Sequence, residues 1–255
     1  MTLTDTHTHL YSEEFEADRE ILINNAIKQG VSRFFLPNID STSIEGMLDL
    51  ERKFPKHCFP MMGLHPCSVK ENWNSELEII EQWLDKRKFC AIGEIGIDLY
   101  WDKSFVDEQK KVFLKQVDMA NNLSIPIVIH SRDSFEMIYD LLNEQPKKEP
   151  CGIFHCFTGS EEQARRAIDL GFYLGIGGVV TFKNSGLDKV VEKIDTKHLV
   201  LETDAPYLAP SPNRGKRNLP EYLQLIANKV AELKNISVDE VAEITTNNSK
   251  CIFAN

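Results

Sequence analysis

Short runs of β-branched and aromatic residues alternate with amphipathic helical stretches eight times along this chain, and that rhythm leaves few folds open. The runs are Leu3–Leu10, Arg33–Pro37, Phe59–Pro66, Phe89–Ile95, Ile125–His130, Cys151–Cys156, Tyr173–Gly177 and Leu199–Thr203. Between them lie apolar residues at helical offsets, such as Ile23, Ala26 and Ile27 before a Gly30 stop, or Val112, Phe113, Gln116, Val117 and Ala120. Ser160 to Gln163 and Ser237 to Glu240 have the form of capping boxes, each opening a helix, and Pro146 and Pro150 bracket a charged loop. A strand–helix–strand alternation gives a parallel sheet, because parallel neighbours need a crossover between them. Eight such units in 255 residues predict a TIM (β/α)8 barrel occupying residues 1–255 as one domain, with a doubly wound open sheet as the alternative.

What separates the two is where the ionisable residues fall. The first strand carries His7 and His9, two residues apart and therefore on one face. His65, Glu94, His130, His155 and Asp204 each end a later strand. A barrel gathers all of these at its C-terminal rim, where barrel enzymes hold their chemistry, whereas an open sheet would spread them apart. On the fourth strand the expected inward set is Cys90, Ile92 and Glu94. A buried histidine taken singly is ordinarily a hydrogen-bonded core residue. The convergence of these five histidines and two acids on one rim is what selects a metal centre. Imidazole with carboxylate suits Zn²⁺, Mn²⁺ or Fe²⁺, and a carboxylate-rich half also admits Mg²⁺. The donors outnumber the needs of one tetrahedral ion, so two divalent ions bridged by Glu94 are expected.

The same residues carry a family resemblance. Thr4-Asp5-Thr6-His7-Thr8-His9-Leu10, Gly63-Leu64-His65-Pro66, Gly93-Glu94-Ile95-Gly96-Ile97-Asp98, Ile129-His130-Ser131-Arg132, His155-Cys156-Phe157-Thr158-Gly159 and Leu201-Glu202-Thr203-Asp204-Ala205-Pro206-Tyr207-Leu208 stand in order along the chain. Together they resemble the TatD-like deoxyribonucleases of the metal-dependent amidohydrolase superfamily. The resemblance implies a distorted barrel and hydrolysis of DNA phosphodiesters, often from the 3′ end. It further implies one ion held by His7, His9, Glu94 and Asp204, and a second by Glu94, His130 and His155. Asp204 would also accept a proton from the attacking water, and His65 would contact the scissile phosphate. Glu202 belongs to the signature and is read as orienting a ligand, and Asp98 either as a similar support or as a turn residue. The family loop after the last strand is matched from Pro210 to Pro220, although Leu219 stands where an acid is usual.

Composition limits how such a chain can meet its substrate. With 29 basic against 39 acidic residues the net charge is −10, which excludes a broadly basic nucleic-acid surface, so any phosphate contact must be local. Arg214, Lys216 and Arg217, in an acid-free stretch after Asp204, are the expected substrate-binding cations. The cysteines Cys58, Cys67, Cys90, Cys151, Cys156 and Cys251 form no Cys-x-x-Cys pair and read as reduced thiols. Strand alternation predicts that Cys156 points away from His155. No apolar run reaches a membrane span, and a soluble cytoplasmic protein with DNA as substrate, and no protein partner implied, is expected. The competing enzyme reading is a superfamily hydrolase acting on a C–N or ester bond of a small molecule. The competing non-enzyme reading is a metal-binding scaffold without turnover, against which a full ligand set argues.

Overall fold

The computed structural model describes residues 2–144 and 152–253. Eight parallel strands alternate with helices: β1 (Leu3–Asp5), β2 (Val31–Leu36), β3 (Cys58–Pro60), β4 (Ile92–Asp98), β5 (Ile127–Arg132), β6 (Gly152–Phe154), β7 (Phe172–Ile176) and β8 (Leu199–Leu201). Strand ladders run β1-β2-β3 and β4-β5-β6-β7-β8. A few backbone bonds outside the ladders close the ring. The amides of Met62 and Gly93 donate to Ala91 and Met62 between β3 and β4, and the Thr6 amide donates to Leu201 between β1 and β8. The expected barrel is therefore the observed one. The Pro146–Pro150 loop and Cys151 lie outside the described residues.

Inside the ring, Phe35, Met61, Ala91, Val128, Ile153 and Val200 form one apolar layer, each from a different strand or, for Met61 and Ala91, from the residue next to one. A larger shell of Leu, Ile, Val and Phe side chains packs outward against the helices. The helix Val238–Phe253 closes the lower end, with Phe253 stacked on Phe35 at 3.8 Å between ring centroids. Its capping box is present, since Ser237 Oγ accepts from the Glu240 amide and Glu240 accepts from both the Ser237 amide and its hydroxyl. The Ser160 box likewise opens the helix Glu161–Asp169.

Two expectations about strands need correction. Several strands end early: His7, His9, His65, His155, Glu202 and Asp204 all lie just beyond the regular ladder, on the segments that leave it. On β4 the inward set is not Cys90, Ile92 and Glu94. Ala91 joins the inner layer while Ile92 packs outward. At Gly93 an added Cβ would stand 2.9 Å from Val128 Cβ, so only glycine fits there. The pairing of β4 with β5 then slips between Ile92 and Ile95, and this irregularity returns Glu94 to the inside.

Candidate metal centre

Glu94 sits at the centre of the rim, 2 % exposed, with its two oxygens facing different histidines. Oε2 lies 3.1 Å from His7 Nε2 and 3.7 Å from His9 Nε2. Oε1 lies 2.9 Å from His130 Nδ1, 3.1 Å from His155 Nε2 and 3.4 Å from His65 Nε2. Asp204 Oδ1 stands 3.9 Å from His7 Nε2 and 3.6 Å from His9 Nε2. Three of these separations, His9 to Glu94 and Asp204 to His7 and His9, are longer than a hydrogen bond and near the spacing of donors that share a cation. Ligands at ~2.0–2.2 Å around one tetrahedral ion stand roughly 3.3–3.6 Å apart. The residues present thus fit a divalent ion between His7, His9, Glu94 and Asp204, and the Oε1 side of Glu94 can hold another.

Hydrogen bonds on the far side of each ring decide what the near side offers. Tyr11 donates its hydroxyl to Pro37 O at 2.5 Å, so its oxygen must accept from His9 Nδ1 at 2.9 Å. His9 therefore carries its proton on Nδ1 and keeps the Nε2 lone pair for an ion. His155 Nδ1 donates to Glu202 Oε1 at 3.1 Å, leaving Nε2 to face Glu94. His130 is turned the other way round, with Nε2 donating to Asp98 Oδ2 at 2.8 Å and Nδ1 facing Glu94. His65 differs from all three. Its Nδ1 accepts from the Cys67 amide at 3.0 Å, and an amide can only donate. Neutral His65 must then carry its proton on Nε2 and present an N–H donor to the cleft. Spacing alone would admit His65 as a ligand beside Glu94 and His130, but this tautomer suits an anion instead.

Burial and charge act in opposite senses across the cluster. Burial lowers His7 to about 4 and His9 to about 3, so both are neutral at pH 7. For His155 burial also acts downward, but Glu94 and Glu202 more than reverse it and hold the ring well above the ordinary histidine range. Burial, with Glu94 and Glu202 nearby, pushes Asp204 well above a normal carboxylate. Such crowding of buried carboxylates is the condition a bound cation relieves.

Both expected roles of Asp98 are realised: Oδ2 orients His130, while Oδ1 accepts from the amides of Tyr100 and Trp101. Glu202, fully buried, also accepts from the Cys156 amide at 2.6 Å, and Gly175 makes room for it, since a Cβ there would lie 2.3 Å from Glu202 Oε2. Cys156 does not turn away as alternation predicts; β6 has ended, φ is 45° and the residue lines the same cleft as His155. Burial pushes its thiol well up, which removes it as a nucleophile.

The expected basic patch is the poorest match. None of Arg214, Lys216 and Arg217 lines the cleft of about 760 Å³ above the histidines. Arg217 is tied to Asp18 at 2.5 Å and packs over Phe15, and Arg214 lies over Phe182. The cation that does line the cleft is Arg132, which makes no ion pair among the described residues. Sequence reading assigned no role to Tyr11 or Arg132. A hydroxyl two residues beyond His9 was the available signal for the former.

A closed (β/α)8 ring with a carboxylate bridging two sets of imidazoles on its C-terminal rim defines a metal-dependent hydrolase of the barrel class. The sequence pattern of the TatD related DNases matches residues 4–254, and the chain belongs to that family. It is 40 % identical over 252 residues to the metal-dependent hydrolase YabD of Bacillus subtilis, covering 98 % of each chain. To the 3′-5′ ssDNA/RNA exonuclease TatD of Salmonella typhimurium it is 32 % identical, again over 98 % of each. Among solved structures it superposes on YjjV, a TatD homologue from Escherichia coli, with a TM-score of 0.92 at 29 % identity, covering 99 % of this chain and 98 % of the other.

Proposed function

We propose that the protein is a nuclease that removes nucleotides from the 3′ end of single-stranded DNA, using two divalent ions. The carrying observation is that hydrogen bonds on the far side of His9, His130 and His155 leave each ring's other nitrogen to face an ion, whereas the Cys67 amide fixes neutral His65 as an N–H donor toward the cleft. A hydrolase that only held cations would have no use for the latter. A phosphodiester placed over Glu94 would give His65 its acceptor, a nonbridging oxygen. His7, His9, Glu94 and Asp204 would hold one ion, and Glu94, His130 and His155 the other. When bound, Mg²⁺, Mn²⁺ or Zn²⁺ would supply Lewis acidity that acidifies water and offsets phosphate charge. Asp204, at the open side of the cluster, takes the proton released as water attacks phosphorus. Glu202, Asp98 and Tyr11 keep the imidazoles in the required tautomers, so no reorganisation is needed during the reaction. The name carried by the Salmonella relative supports the strand preference and direction.

The test is a matrix of single-stranded, double-stranded and 3′-blocked DNA against Mg²⁺, Mn²⁺ and Zn²⁺. Shortening of free single strands from the 3′ end, with blocked ends spared, is the expected result. Turnover of lactones or amides with no oligonucleotide cut in any ion would replace the reading with small-molecule hydrolysis.

A further inference from the structure

Six large hydrophobic side chains are exposed among the described residues, and four of them, Tyr100, Trp101, Tyr207 and Leu208, belong to two loops at the mouth of the cleft. Trp101 is 69 % exposed, Tyr100 51 % and Tyr207 48 %, values that cost solvation unless the rings have a partner to meet. Folding does not require these positions. The two loops follow β4 and β8, which stand opposite each other in a ring of eight, so the aromatic groups face the cleft from opposite walls.

Both walls are rigidly built. Asp98 Oδ1 accepts from the amides of Tyr100 and Trp101, and the Leu99 amide donates to Arg132 O at 2.9 Å. The Arg132 guanidinium lies over the Tyr100 ring at 3.9 Å, while Tyr100 and Trp101 meet edge to face at 4.9 Å. On the opposite wall buried Asn218 donates to Tyr207 O and Thr203 O, each at 2.7 Å, and the Tyr207 ring meets His9 edge to face. The same Asp98 that orients His130 thus sets the first wall, and Asp204 leads directly into the second.

We propose that Trp101, backed by Tyr100 and Arg132, and Tyr207 across the cleft form a stacking subsite for unpaired nucleobases, which seats the strand with a phosphodiester over Glu94. The inference rests on the nuclease reading and adds how the strand is recognised. Flat aromatic faces accept any base, because every base has a π-face, and a duplex offers none because its bases are already stacked. The charge argues in the same direction. A chain of net charge −10, with Arg132 as the unpaired cation lining the cleft, gains little from attracting phosphates, so stacking must supply the affinity. Recognition is then tolerant of sequence, strict for single strands, and only shallowly dependent on salt.

The test compares a single-stranded oligodeoxynucleotide with an abasic strand of the same length and charge, in the divalent ion that supports turnover. Wild-type protein should favour the base-bearing strand in kcat/KM by about tenfold, mostly through KM. That ratio should collapse toward one in Trp101→Ala and recover in Trp101→Phe. Binding is read separately with a phosphorothioate strand that resists hydrolysis. It should quench tryptophan fluorescence, its abasic counterpart should not, and the quench should vanish in Trp101→Phe, which retains Trp73 and Trp83. An unchanged ratio in Trp101→Ala, or equal quenching by the abasic strand, overturns the subsite while leaving the nuclease reading intact. If wild-type protein neither cuts nor binds either strand, the nuclease reading itself falls and the subsite with it.

Discussion

The inner wall of the barrel has two levels built from the same strands, and they obey opposite rules. The lower level, from Phe35 to Val200, is apolar and closed by Phe253. Two residues further along, Val128 gives way to half-buried His130, Ile153 to His155 and Val200 to Glu202, and the upper level is a cluster of mostly buried ionisable groups. Burial stabilises the first and penalises the second, by roughly 25 cal/mol per Å² in one case and by desolvation of every charge in the other. The lower level holds the ring; the upper level is tolerated because the ring is held.

The comparison breaks most sharply at Glu94. Glu94→Ala should lower turnover by roughly a thousandfold or more, because the bridge between both ligand sets is gone. Elemental analysis should find less metal per chain; full metal content with normal turnover would refute the bridge. Phe253→Ala is the mirror experiment. Loss of a buried ring should cost about 3–5 kcal/mol in denaturant unfolding, while metal per folded chain stays at the wild-type value. A smaller effect is expected from Tyr11→Phe, which leaves His9 Nδ1–H without its acceptor. Affinity for the ion should fall about tenfold, measured by titration against a competing chelator, and stability should fall by about 1–3 kcal/mol because Pro37 O also loses its donor.

The smallest effect concerns protons. His155 has its pKa raised in the ion-free protein, so it is protonated at neutral pH, and an ion that takes its Nε2 must expel that proton. His7 and His9, lowered to about 4 and 3, have none to give. Asp204 and His130 are raised as well, so loading at pH 7 should release protons from these groups together, seen as a buffer-dependent heat in calorimetry. Release should fade as pH rises past their values and be smaller, though not absent, in His155→Gln. Release unchanged in that variant would refute the part given to His155.

Much of this was legible in the sequence because it is locally encoded. Alternation marks strands, 3.6-residue spacing marks helices, and Ser160 and Ser237 announce caps that the structure contains. The cluster of histidines and acids was legible because each of its residues terminates such a pattern. The inward set of β4 was not, since an irregularity in pairing resets the alternation and no local spacing records it. Nor was the fate of Arg217, whose partner Asp18 lies 199 residues away and becomes a neighbour only when the ring closes. Trp101 and Tyr207 gave no periodic signal, because exposed loop aromatics answer to a ligand and not to the core.

That closure has a further consequence. Asp5, at the end of β1, accepts from the amide and hydroxyl of Thr203 at 2.9 and 2.6 Å, stitching the first strand to the last. His7 and His9 stand on one side of this seam and Asp204 on the other, so their half of the centre does not exist in any folding intermediate whose ring is open. Contacts of such sequence separation form late and slowly. A cation shared across the seam would also fasten it: at a hundred times its dissociation constant it adds about 2.7 kcal/mol to the stability of the closed form. Metal supply would then govern how long the ring stays shut, as well as how fast it works.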